Sequence, residues 1–129
     1  LTMAETASVF GELLVFEKLR REEGNPRALL GLLCEFVEEA FGTVFRQIAL
    51  TRFEQQLHAS RRAGGELSAE KIGSIWQETN AAMYGDSVAL TEGYCWWWAY
   101  IPHFIHSPFY CYAYSFGELL VLALYELTG

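Results

Sequence analysis

The sequence predicts an all-α fold, and three observations carry that expectation. Apolar residues recur at helical spacing through most of the chain, glycine, asparagine and proline punctuate it at three points, and no stretch of useful length alternates as a strand would. The first helix is expected from about Ala4 to Glu22, where Val9, Phe10, Leu13, Leu14 and Phe16 form the apolar stripe and Lys18, Arg20 and Arg21 suit the negative end of the helix dipole. Gly24 and Asn25 stop it, and Pro26 stands where a first helical residue often does. A second, long helix is expected from Pro26 to about Arg62, with Gly31 and Gly42 permitting close packing or a bend. Ala63-Gly64-Gly65 closes it, and Leu67-Ser68 supplies a hydrophobic residue and an N-cap for a third helix running to about Tyr84. The stretch to Pro108 packs aromatics too densely for periodicity to decide its form, while Pro102 and Pro108 forbid an uninterrupted helix. A short helix around Cys95 to Tyr100 followed by a loop is expected there, and a final helix from about Phe109 to Leu127, weakened at Gly117. The expected architecture is a helical bundle of about five helices.

At 129 residues the chain is about one domain long, and with 52% hydrophobic and 16% aromatic residues it is far too apolar for a disordered linker. Its net charge of -7 excludes attraction to nucleic-acid phosphates or anionic lipid as a main purpose. Cys34, Cys95 and Cys111 lie far apart in apolar surroundings, without CxxC spacing, and read as reduced, buried thiols of a cytoplasmic protein. The opening residues lack the basic start, apolar run and cleavage site of a secretory signal. The apolar run Leu119 to Tyr125 is much shorter than the roughly 20 residues that span a bilayer, so no membrane role is expected.

Glu5, Ser8 and Glu12 are spaced i, i+3 and i+7, which puts them on one stripe of the first helix among Ala, Val, Phe and Leu. Such a stripe is either a solvated helix face or, where it is lined by apolar neighbours, a pair of carboxylates in need of a counter-charge. The string AETASVFGELL around them resembles a segment of the oligoendopeptidase F family and the wider thimet-oligopeptidase-like zinc peptidases, where it follows the HExxH helix. That resemblance implies that Glu5 is the third zinc ligand and Glu12 a carboxylate that orients a ligand. The HExxH motif, which would supply two histidines and the general base, does not occur in these residues.

Two further segments carry the resemblance, in the family's order. RQIALTRFEQQLHASRRAGGELSAEKIGSIWQE is similar to the family's long helix and the turn into the next, with Arg46, Phe53, Glu54 and His58 in matching places. His58 lies one helical turn beyond Glu54, the spacing of an ordinary i,i+4 pair, and Arg61, Arg62, Glu66 and Glu70 read as solvated surface. In YIPHFIHSPFYCYAYSFGELLVLALYE, His103, His106, Tyr110, Tyr112 and Tyr114 crowd beside two prolines. Taken alone, these are either core aromatics with satisfied hydroxyls or groups that meet a substrate. A zinc site made from His103, His106 and Glu5 is conceivable on composition, though HFIH beside a proline is a poor signature. This string is similar to the family's second active-site segment, which implies that His103 contacts the substrate, that Tyr110 or Tyr112 stabilises the oxyanion, and that His106 is a further substrate-binding candidate.

The resemblance implies a zinc metalloendopeptidase that hydrolyses oligopeptides in the cytoplasm, and a chain that is one all-helical segment of its catalytic domain, truncated at both ends and inactive alone. Helix faces that would meet missing neighbours are expected to be exposed and to allow a homo-oligomer. The alternative is a non-catalytic helical module whose aromatic segment binds a peptide or a partner protein.

Overall fold

The computed structural model describes residues 2–127, and among them every regular element is a helix. The α-helices are α1 (Thr6–Glu22), α2 (Pro26–Phe41), α3 (Gln47–Gly64), α4 (Ala69–Tyr84), α5 (His103–His106) and α6 (Tyr112–Glu126). A π-helical turn, Gly42–Arg46, stands between α2 and α3, and 3-10 segments cover Gly85–Ser87 and Glu92–Tyr100. The local stop and start residues act as expected. Asn25 accepts a hydrogen bond from Arg27 N at 2.9 Å to cap α2, Ser68 accepts from Lys71 N at 3.2 Å to cap α4, and Gly65 takes a φ of +82° just past α3. No helix among the described residues is long and apolar enough to cross a membrane.

Three elements differ from expectation. The long second helix is two α-helices joined by a π turn that starts at Gly42, one of the two glycines expected to permit a bend; among the described residues neither Gly31 nor Gly42 is closely approached. The segment before Pro108 is 3-10 rather than α and begins earlier, at Glu92, and the expected loop after it contains the single turn α5. The last helix starts at Tyr112 rather than Phe109, because Phe109 takes a φ of 57°, outside any right-handed helix.

Contacts divide the chain into two compact units, Leu1–Gln47 with Tyr112–Gly129, and Ile48–Cys111. In the first, α1 lies between α2 and α6. Phe16 stacks on Phe36 of α2 with centroids 4.1 Å apart. Against α6 the ties run in one direction along both helices: Thr2 Oγ1 to the Tyr112 hydroxyl at 2.7 Å, Gly117 against Glu5 and Thr6, and Arg21 donating to the Tyr125 hydroxyl at 3.2 Å. The π turn is anchored as well. Its wider winding leaves carbonyls without their usual helical donors, and the buried Ser115 hydroxyl lies 3.0 Å from Thr43 O and 3.1 Å from Val44 O, so its proton serves that pair.

The second unit has an aromatic core. Phe53 and Trp76, both fully buried, meet edge to face at 5.2 Å, and Leu50, Ile75, Ile101 and Cys111 complete the cluster. The 3-10 segment lies on α4 through Gly73, where an added Cβ would stand 3.0 Å from the Cys95 carbonyl oxygen and 3.3 Å from its Cβ. Polar ties hold the same seam: the Tyr94 hydroxyl donates to Asn80 Oδ1 at 3.0 Å, and Gln77 Nε2 to Thr91 O at 3.0 Å. The three cysteines are free, but only Cys111 is buried; Cys34 is exposed, contrary to the sequence reading, because the flank of α2 that carries it meets no neighbour in this unit.

Gly73→Ala is expected to cost about 1–3 kcal/mol by forcing backbone apart at Cys95. Gly31→Ala, whose Cβ would meet nothing within 4 Å, should instead stabilise α2 by roughly 0.5–1 kcal/mol. Urea unfolding of the two variants checks the opposite signs.

Candidate active site

Glu5 is the last residue before α1, and its carbonyl accepts the first helical bond from Val9 N at 3.1 Å. It is half-buried because Gly117 of α6 presses on it: a Cβ at Gly117 would lie 3.4 Å from Glu5 Cβ and 3.5 Å from the Thr6 nitrogen. One turn earlier on α6, the Tyr112 hydroxyl meets Thr2, three residues ahead of Glu5. The register of α6 on α1 thus brings Glu5 and Tyr112, two of the residues singled out from the sequence, to the same end of the first unit. Glu12 is exposed further along α1 and accepts a hydrogen bond from Ser8 Oγ at 3.1 Å, so the expected carboxylate stripe exists with its serine engaged.

His103, His106 and Tyr110 belong to the second unit. The two histidines open and close the single turn α5, His103 half-buried and His106 exposed. Its backbone is held by Ser107 N donating to His103 O at 3.0 Å, and Tyr110 N follows, donating to Ser107 O at 3.2 Å. Among the described residues no three His, Cys, Asp or Glu side chains converge as metal ligands, so the set of His103, His106 and Glu5 considered from composition does not form.

The contact that shapes this aromatic segment comes from α3. Glu54 is 1% exposed, and its Oε1 accepts from the Phe109 amide at 2.7 Å, while His58 lays its ring on the Phe109 ring with centroids 4.7 Å apart. The expected Glu54–His58 pair is replaced by a shared grip on Phe109. A left-handed φ at a phenylalanine costs about 1–2 kcal/mol. The amide's hydrogen bond, at about 0.5–1.5 kcal/mol, together with the His58 ring contact, is of the size needed to hold it.

Glu118, which directly precedes the apolar run Leu119 to Tyr125, is 92% buried, being 8% exposed. The period could have revealed it, since it sits three residues from Val121 and beside Gly117 on the buried face of α6. Burial pushes its carboxyl above the ordinary 4.5, and the charges of Glu12 on α1 and Glu39 on α2 add to the rise. A raised carboxylate favours the folded state while protonated, so this contribution is present at low pH and lost as pH rises from the ordinary value through the raised one.

Two outcomes are expected in unfolding experiments. Glu54→Ala should cost about 2–4 kcal/mol by stranding the Phe109 amide, whereas Glu54→Gln, which keeps an acceptor oxygen, should cost less than half of that. Glu118→Gln should match the parent chain in acid, below the ordinary glutamate range, and exceed it at neutral pH, as thermal unfolding across that range would show.

Comparison with known proteins gives these residues a family. The model of peptidase family M3 matches residues 1–126. The plasmid-encoded oligoendopeptidase F of Lactococcus lactis subsp. cremoris is 34% identical over 115 residues, 89% of this chain and 19% of that protein. Oligopeptidase PepF of Bacillus subtilis is 30% identical over 122 residues, 95% of this chain and 18% of that protein. The crystal structure of oligoendopeptidase-F from Enterococcus faecium superposes with a TM-score of 0.86 at 31% identity, over 97% of this chain and 24% of that one. The chain therefore spans about a fifth of the length of the curated relatives it matches. The family model covers all but the last of the described residues, the superposed crystal structure shares their all-helical fold, and the chain belongs to peptidase family M3.

Proposed function

We propose that these residues serve a zinc-dependent endopeptidase that hydrolyses oligopeptides in the cytoplasm. The observation that carries the reading is the family match over residues 1–126, together with the placement of Glu5 and Tyr112 at one end of the first unit. A catalytic zinc is held by three protein ligands, and this stretch offers one candidate, Glu5, so the residues present do not by themselves fit the metal. In such enzymes the metal polarises a carbonyl and acidifies bound water. Glu5 is the ligand proposed from this chain, and Glu12 the carboxylate that orients a neighbouring ligand.

The remaining roles are hydrogen-bonding ones. A tyrosine hydroxyl stays protonated near neutral pH, its pKa being about 10, and its bond to a carbonyl oxygen strengthens as that oxygen gains charge. Tyr112 is preferred over Tyr110 for this role because its hydroxyl is held beside the lead into Glu5. His103 and His106, on their separate turn, are proposed to hold the peptide backbone. A second reading, a helical module that binds a peptide without cutting it, has support in the exposure of Trp96, Trp97 and Tyr100 on the 3-10 segment.

Cleavage of a quenched fluorescent oligopeptide distinguishes these readings. In the full translated protein that contains these residues, Tyr112→Phe should lower kcat by about 10²–10³ with little change in KM, and Tyr110→Phe far less. Equal losses would remove the assignment to Tyr112, and saturable peptide binding without cleavage by the full protein would favour the binding module. The 129 residues alone should cleave nothing; chelator-sensitive cleavage by them would contradict the ligand assignment.

A further inference from the structure

The π turn interrupts the helical run from Pro26 to Gly64, and none of the roles above gives it a purpose. Such turns are frequent at functional sites, and this one is tied to the first half of α6. The tie is the hydroxyl of Ser115, a residue 1% exposed, which lies 3.0 Å from Thr43 O and 3.1 Å from Val44 O. A serine inside a helix ordinarily turns its hydroxyl back to a carbonyl one turn earlier on the same helix, where it adds nothing to packing. The proton of Ser115 goes across to another element instead. Alanine is as small as serine and a better helix former, so close packing alone does not call for a serine at this position. What the hydroxyl adds is the bond to the π turn.

We propose that Ser115 is a positioning residue for Tyr112, its bond to the π turn setting where the first turn of α6 holds the tyrosine hydroxyl. The inference rests on the oxyanion role given to Tyr112 above. Tyr112 opens α6 and Ser115 stands three residues on, so the two are neighbours on successive turns of one helix. The contact of Gly117 with Glu5 and Thr6 stops α6 from coming closer to α1, but contact between surfaces does not stop it from sliding or turning. A hydrogen bond does, because it weakens steeply once its geometry shifts. Both ends of the Ser115 bond lie within the first unit, as does the Thr2 hydroxyl that meets Tyr112 at 2.7 Å. An oxyanion donor needs such a hold, since a misplacement of about 1 Å can cost about a hundredfold in rate.

The test uses the full translated protein with a quenched fluorescent oligopeptide and, separately, 3-fluorotyrosine placed at position 112 and read by fluorine NMR without substrate. Ser115→Ala should lower kcat about tenfold while KM stays within about twofold. Ser115→Cys keeps a weak donor and should lose less. In a Tyr112→Phe background Ser115→Ala should cost no further kcat, because the hydroxyl it positions is gone. Ser115→Ala should also shift and broaden the fluorine signal of position 112 and leave a control label at Tyr94, in the second unit, unchanged. Where Tyr112→Phe lowers kcat, full kcat in Ser115→Ala, or an equal further loss in the double variant, would overturn the proposal. An unmoved signal at position 112 would overturn it in any case. A moved signal beside full kcat in Tyr112→Phe would support Ser115 as the hold on Tyr112 and remove the oxyanion role instead. Should Ser115→Ala not fold, Ser115→Cys carries the same readouts.

Discussion

A single half-buried hydrogen bond, from the Phe109 amide to the buried Glu54 Oε1, governs what the second unit can present. The segment from Ile101 to Cys111 has one turn of helix, two prolines and turn-like backbone bonds, so no extended regular element dictates its course. Its two ends enter the core through Ile101 and Cys111, and its middle is turned by the left-handed Phe109. That turn is unfavourable for a phenylalanine and persists because Glu54 and His58, one helical turn apart on α3, hold its amide and its ring. The arrangement has a cost of its own, since Glu54 Oε2 is buried without a hydrogen-bond partner. Tyr110, the residue after Phe109, follows directly from this local compromise.

The first unit is organised by a different constraint, the register of α6. Ser115 engages the carbonyls that the π turn leaves short of donors, and Gly117, two residues on, allows α6 to touch the start of α1. Together they decide where Tyr112 meets the approach to Glu5. A side chain at position 117 larger than a methyl would push on the candidate ligand itself, so the glycine that weakens the helix by propensity serves its packing. The same packing leaves Glu118 largely buried, and that burial, with the charges of Glu12 and Glu39, raises its pKa.

What could be read from the sequence was what local chemistry decides. Asn25 with Pro26, Ser68 and Gly65 act within a few residues of themselves, and each terminus they mark is where it was expected. The π turn starts at Gly42, one of the two glycines expected to permit close packing or a bend, but its π form was not legible because one extra residue in a turn barely disturbs a helical period. The left-handed Phe109 was invisible for a stronger reason: its support comes from a residue 55 positions away, and the same contact removed the local Glu54–His58 pairing. For the site, resemblance named Glu5, Glu12, His103, His106, Tyr110 and Tyr112, and the structure adds what composition could not, the pressing of Gly117 on Glu5 and the Thr2 contact of Tyr112. Glu118 stood in plain view as a charge on an apolar period.

The role of Glu5 joins the family assignment to the chemistry, and zinc stoichiometry measures it directly. Metal analysis of the full translated protein after dialysis should find one zinc per chain in the parent, retention at reduced affinity in Glu12→Gln, and loss of zinc in Glu5→Gln, with about a hundredfold weaker binding or more. Stoichiometric, tightly held zinc in Glu5→Gln, or no zinc in the parent protein, would contradict it.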